Sequence, residues 1–150
     1  MKTFGLYEEG FLAACNINGG GSGGGGGSGS GAGTTWTLRT SQGNSLFGVT
    51  YGNGLFVAVG SDGTILTSPD GVTWTQRASG TSNLLSDVTY GNGLFVAVGD
   101  DGAILTSPDG VTWTQQTSGT SDWLHGATYG NGLFVAVGPG GAILTYPTYP

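Results

Sequence analysis

His125 is the single histidine of this chain and Cys15 the single cysteine, so the side chains that most readily ligate zinc or relay a proton are each present once. A His/Cys metal cluster needs several such ligands, and a Ser-His-Asp array would have to form around His125 alone. No catalytic residue, resident metal or cofactor is therefore expected. His125 does sit in suggestive company, because SDWLHG at 121 to 126 places Asp122, Trp123 and His125 close together. An indole beside polar groups suits a sugar, the ring stacking on it while the neighbours bond its hydroxyls. The other reading is that Trp123 caps a sheet interface against the glycine-rich segment or a neighbouring chain. Asp100 and Asp101 carry charge that suits calcium, but they fall at an expected chain reversal, where aspartate bonds its own backbone.

Nine acidic residues against three basic ones give a net charge of -6, a field that repels phosphate backbones and anionic membrane surfaces. Nucleic acid is not an expected partner. No run of apolar residues reaches the length of a membrane span. Leu12, Ala13, Ala14 and Cys15 spell LAAC, which resembles the lipobox of bacterial lipoproteins and implies an acyl anchor on Cys15. Glu8 and Glu9 stand where the apolar stretch of a signal peptide belongs, which argues against that anchor. The competing reading of residues 1 to 18 is a docking arm carrying Phe4, Leu6, Tyr7, Phe11, Leu12 and Ile17. Residues 19 to 33 contain only Gly, Ser and Ala, a spacer that spans about 20 Å as a flexible coil.

Positioning the remaining residues falls to a repeat. VTYGNGLFVAVG at 49 to 60 returns unchanged at 88 to 99 and as ATYGNGLFVAVG at 127 to 138, a period of 39. DGTILTSPDGVTWTQ at 62 to 76 returns as DGAILTSPDGVTWTQ at 101 to 115, and GGAILTYP at 140 to 147 is a shortened third copy. Within a unit, Leu94, Val96 and Val98 alternate with Phe95 and Ala97, which predicts a strand with two apolar faces. Asn92-Gly93 and Asp101-Gly102 predict two-residue hairpins, and Ser107-Pro108-Asp109-Gly110 a further turn. Each unit thus reads as a four-stranded antiparallel meander, in the second copy near 84 to 90, 94 to 99, 103 to 106 and 111 to 116. Neighbouring sheets must cover its two faces.

TTWTLRT at 34 to 40 matches the fourth strand VTWTQ, with Trp36 aligned to Trp74 and Trp113, whereas the last unit reaches Tyr146-Pro147 before its own fourth strand. The offset predicts closure by strand exchange, within one chain or between chains, so that no edge stays open. The expected domains are an arm at 1–18, a spacer at 19–33 and an all-β body of three repeats at 34–150.

The strings YGNGLFVAVG, DGAILTSPDG and VTWT resemble blades of bacterial β-propellers with Asp-box repeats, including sialidase-like and photosystem-assembly-factor-like propellers. SPDGVTW is similar to the Asp-box, one residue shorter. The resemblance spans 34 to 147 and implies that Asp70 and Asp109 are structural turn residues. It does not carry sialidase chemistry, which needs three arginines around a carboxylate substrate and a tyrosine nucleophile, because only Arg39 and Arg77 are present. Three blades are few for a propeller. A homo-oligomer sharing closing strands, giving six or nine blades, is expected ahead of a single-chain β-prism or β-trefoil. The layout of arm, spacer and β-head is similar to small fibre or decoration proteins of phage particles. The expected function is therefore non-enzymatic, a structural or adhesive component of a virion or extracellular surface. Its expected partners are its own copies, cell-surface glycans or other virion or surface proteins. The alternative is a carbohydrate-binding module on the bacterial outer surface, anchored through Cys15.

Overall fold

Asn-Gly pairs set the first reversal of every unit. Asn92 at φ 47° and Gly93 at φ 77° both occupy the left-handed region, which a type I′ turn demands, and Gly91 pairs with Leu94 across it. Asn53-Gly54 and Asn131-Gly132 do the same in the other copies. The computed structural model describes residues 35–39 and 43–147; the docking arm, the spacer and Cys15 lie outside the described residues. The strands of the described residues fall within Asn44–Pro150, one of the two units into which the chain divides.

The first sheet runs β1 (Leu46–Gly52), β2 (Leu55–Gly60), β3 (Ile65–Ser68) and β4 (Thr75–Arg77), each strand antiparallel to the next. The second repeats it as β5 (Leu85–Gly91), β6 (Leu94–Gly99), β7 (Ile104–Ser107) and β8 (Thr114–Gln116). The third has three strands, β9 (Gly126–Gly130), β10 (Leu133–Val137) and β11 (Ile143–Tyr146). Registers recur with the sequence period: Val57 opposes Thr67 as Val96 opposes Thr106 and Val135 opposes Thr145.

The second reversal departs from the two-residue hairpin expected at Asp101-Gly102. Residues 99 to 103 bridge the last paired positions, Val98 and Ile104, through a 3-10 turn at Asp100–Gly102. The N–H of Ala103 donates to the carbonyl of Asp100 at 2.9 Å, and that of Gly99 to the carbonyl of Ala103 at 3.0 Å. These two bonds satisfy the backbone that a tighter turn would leave unpaired. The fourth strand is shorter than expected because the Ser-Pro-Asp-Gly turn holds the residues up to Trp113.

Each sheet lays one face on the next. Leu55, Val57, Val59 and Ile65 of the first pack against Leu85, Val88, Phe95 and Leu105 of the second. Val96, Val98 and Ile104 of the second pack in turn against Leu124, Phe134 and Ala136 of the third. The first strands β1, β5 and β9 lie side by side in that order. β1 packs against β5 and β5 against β9, with no comparable packing of β9 on β1. Three blades in an open arc account for this. A β-prism or β-trefoil, whose threefold symmetry would make all three neighbours equivalent, does not. Among the described residues the third sheet has three strands and no fourth, and residues 35–39 form no strand, with Trp36 97% exposed.

Candidate functional site

The segment joining β8 to β9 carries Asp122, Trp123 and His125. Its course is fixed by short polar turns: the Ser118 hydroxyl donates to the Thr120 carbonyl at 3.0 Å, and the Asp122 N–H donates to Thr120 Oγ1 at 3.0 Å. Its counterpart between β4 and β5 repeats both contacts with Ser79, Thr81 and Asn83. Asp122 also accepts from the Gly102 N–H at 2.9 Å through its carbonyl. Leu124 turns inward and is fully buried, while Trp123 and His125 on either side of it are exposed.

The structure brings Trp123 and His125 together, their ring centroids 4.3 Å apart and their planes inclined at 50°. Asp122 joins them through its backbone alone, its carboxylate making no hydrogen bond among the described residues. The Trp123 indole N–H donates to Ser86 Oγ at 2.6 Å, a residue of β5. Trp123 is 45% exposed. It therefore offers a ring face to solvent while its polar end ties the third blade to the second.

The two turn aspartates are also occupied. Asp109 Oδ1 accepts the N–H groups of Val111 and Thr112, both at 2.8 Å, and the Ser107 hydroxyl at 3.0 Å. Asp70 does the same with Val72, Thr73 and Ser68 at 2.8, 2.9 and 3.0 Å. Donors converging on the charged form hold both carboxyls below the ordinary value of 3.8, the backbone N–H of Thr73 being the largest cause at Asp70 and that of Thr112 at Asp109. Trp113 closes the same motif by donating its indole N–H to the Gly110 carbonyl at 3.0 Å.

Arg39 is exposed, and Arg77 donates from Nε to Thr67 Oγ1 at 2.9 Å, a contact that Gln116 reproduces on Thr106 at 2.9 Å. Because a glutamine makes the same contact, the position requires a hydrogen-bond donor and not a charge. Asp101 takes φ 51° in its 3-10 turn. Among the described residues no group of three His, Cys, Asp or Glu side chains converges to hold a metal.

Sequence reasoning missed Asp87. Its Oδ2 accepts the Ala127 N–H at 2.9 Å and its Oδ1 the Val88 N–H at 2.8 Å, so one carboxylate ties β5 to β9. The available signal was a charged residue where the other copies have Gly48 and Gly126. A cleft of about 480 Å³ between the second and third blades was also missed; Ile104, Thr106 and Gln116 line one side, Leu144 and Tyr146 the other. Between the first two blades Trp113 packs into the core instead.

No protein-family model and no curated protein matches the chain. Among solved structures it is similar to YCF48 from Cyanidioschyzon merolae, at 24% sequence identity and a TM-score of 0.58, over 68% of this chain and 34% of that one. The chain thus spans about a third of that structure's length. The likeness extends to the fold alone, a β-propeller type of blade repeat.

Proposed function

We propose that this chain is a non-enzymatic structural or adhesive component of a virion or extracellular surface, assembling with its own copies and carrying a blade-repeat head. The observation that carries the reading is where its chemically able side chains are spent. Trp123 reaches back to Ser86 and Asp87 across to Ala127, so both serve as ties between blades. Asp70 and Asp109 hold turns. Polar groups committed in this way fix geometry.

The exposed Trp123 and His125 rings favour one second reading, a carbohydrate-binding module presenting a stacking platform. A single experiment separates the two: the full-length chain and its Trp123→Ala variant on a glycan array, with thermal melts of both. The structural or adhesive reading expects Trp123→Ala to leave glycan retention as it is in the unsubstituted chain and to lower the melting temperature by roughly 4 °C, the equivalent of about 1 kcal/mol in a domain of this size. Retention that Trp123→Ala abolishes without a change in melting would replace it with the second reading.

A further inference from the structure

The open ends of the arc are the two halves of the interface that joins its first two blades. Leu133, Val135, Val137 and Ile143 on the third blade repeat Leu55, Val57, Val59 and Ile65, residue for residue. The earlier set is packed against the second blade; of the later one, Val137 is 44% and Ile143 70% exposed. At the opposite end Leu46, Val49 and Tyr51 repeat Leu85, Val88 and Tyr90. Leu85 and Val88 are 0% and 3% exposed, whereas Leu46, Val49 and Tyr51 are 41%, 64% and 57% exposed. Ala58 and Leu66 at the centre of that end face are buried, so its unpartnered residues run along β1. First strands are where neighbouring blades touch.

Knobs and holes match as well. At each internal interface a tyrosine ring covers a glycine of the preceding blade, Tyr90 on Gly52 and Tyr129 on Gly91, with ring atoms 2.1 Å from where a Cβ would lie. The series leaves Tyr51 without a glycine and Gly130 without a tyrosine, and nothing lies within 4 Å of a Cβ at Gly130. The Gly63 N–H donates to the Asn83 carbonyl and the Gly102 N–H to the Asp122 carbonyl, both at 2.9 Å. By the repeat, Gly141 is the next donor and Asn44 the acceptor that precedes the series.

The edge completes the match. In the second blade Trp113, immediately before β8, precedes Leu124 by 11 residues, and Trp36 precedes Leu46 by 10, one residue fewer in the connecting segment. By the repeat, residues 34–40 of a second copy correspond to the fourth strand that precedes a first blade, and β11 has no fourth-strand partner among the described residues. Paired with β11, that segment would place Trp36 of the second copy at the cleft between the second and third blades, the place that Trp113 fills one interface earlier.

We infer that a second copy of this chain docks head to tail, its Leu46, Val49 and Tyr51 on Leu133, Gly130 and Ile143 of the first, and lends its 35–39 segment as the missing fourth strand. The interface is heterologous, so two chains close a six-bladed ring and three a nine-bladed one if the blade rotation permits. This deepens the structural reading by naming its self-contact. The test is native mass spectrometry of the full chain at micromolar concentration, with Val49→Asp, Ile143→Asp and their equimolar mixture, folding being checked by circular dichroism. Wild type is expected to be oligomeric and each variant alone monomeric. The mixture is expected to give a 1:1 dimer, because the intact third blade of one variant meets the intact first blade of the other. A monomeric wild type would overturn the inference and assign the end faces to the chain's own segments. Persistence of the oligomer in either variant would overturn it in favour of a symmetric contact, and a mixture that stays monomeric would overturn the pairing of these two faces. A monomeric wild type would also remove self-assembly from the structural reading, whereas failure of the variants alone would leave that reading standing, to be judged by glycan retention.

Discussion

The ring of Tyr90 occupies the space a side chain at Gly52 would need, its Cγ 2.1 Å from the position a β-carbon would take. This contact, repeated by Tyr129 on Gly91, explains why the motif is Tyr-Gly in every copy: the tyrosine of one blade needs the absence of a side chain in the blade before it. Gly52→Ala and Gly91→Ala should each destabilise the fold by about 1–3 kcal/mol, the usual cost of overpacking. Gly130→Ala, with open space around it, should leave the isolated chain's stability within about 0.5 kcal/mol. Urea denaturation of the three variants checks the ordering.

One leucine position reports on three different environments. Leu85 and Leu124 are fully buried, and Leu46 is 41% exposed. Truncation to alanine should cost about 2–5 kcal/mol at Leu85 and Leu124. At Leu46 it should cost less than half as much for the unassembled chain. Equal losses at all three, measured by chemical denaturation at low protein concentration, would show that the first blade's end face is covered within a single chain.

Acid should loosen the Asp-Gly turns. Asp70 and Asp109 have pKa values held below 3.8 by backbone N–H donors, so each contributes stability that is fully present above the ordinary carboxylate value. That stability is lost as pH falls through the depressed one. Melting temperature should be flat from neutral pH to about 5 and fall below about 4. The Asp70→Asn/Asp109→Asn double variant should melt lower at neutral pH and show a shallower acid decline. Calorimetry across that range measures both.

Asp87 provides a test of inter-blade coupling. Asp87→Ala removes the acceptor for the Ala127 N–H and should cost about 1–2 kcal/mol. Asp87→Gly restores the residue found at positions 48 and 126 and should cost no less, since it loosens the strand as well. Hydrogen exchange should show the Ala127 amide losing protection in both variants while Val57 and Val59 keep theirs.

Much of this fold was legible because turn chemistry and strand alternation agree at every copy: Asn92-Gly93 marked its reversal, and Leu94, Val96 and Val98 marked the face opposite Phe95 and Ala97. Asp101-Gly102 misled because the same dipeptide serves a tight hairpin and a 3-10 turn, and the choice rests on backbone bonds from Gly99 and Ala103 that sequence does not display. Trp123 and His125 were legible as neighbours because they stand close together in SDWLHG. The indole bond to Ser86 was not, because it joins residues 37 positions apart through the stacking angle of two blades. Asp87 escaped notice for the same reason, its partner being a backbone amide of the next sheet.

The recurrence of one interface has a consequence at the level of the coding sequence. Because Leu55, Val57 and Val59 reappear as Leu94, Val96 and Val98 and again as Leu133, Val135 and Val137, adding or deleting one whole unit of 39 residues leaves both terminal surfaces chemically unchanged. Unequal recombination between the copies would thus alter the number of blades in a chain by whole steps while preserving the residues of each end face. Inheritance can resize such a molecule without having to reinvent its joints.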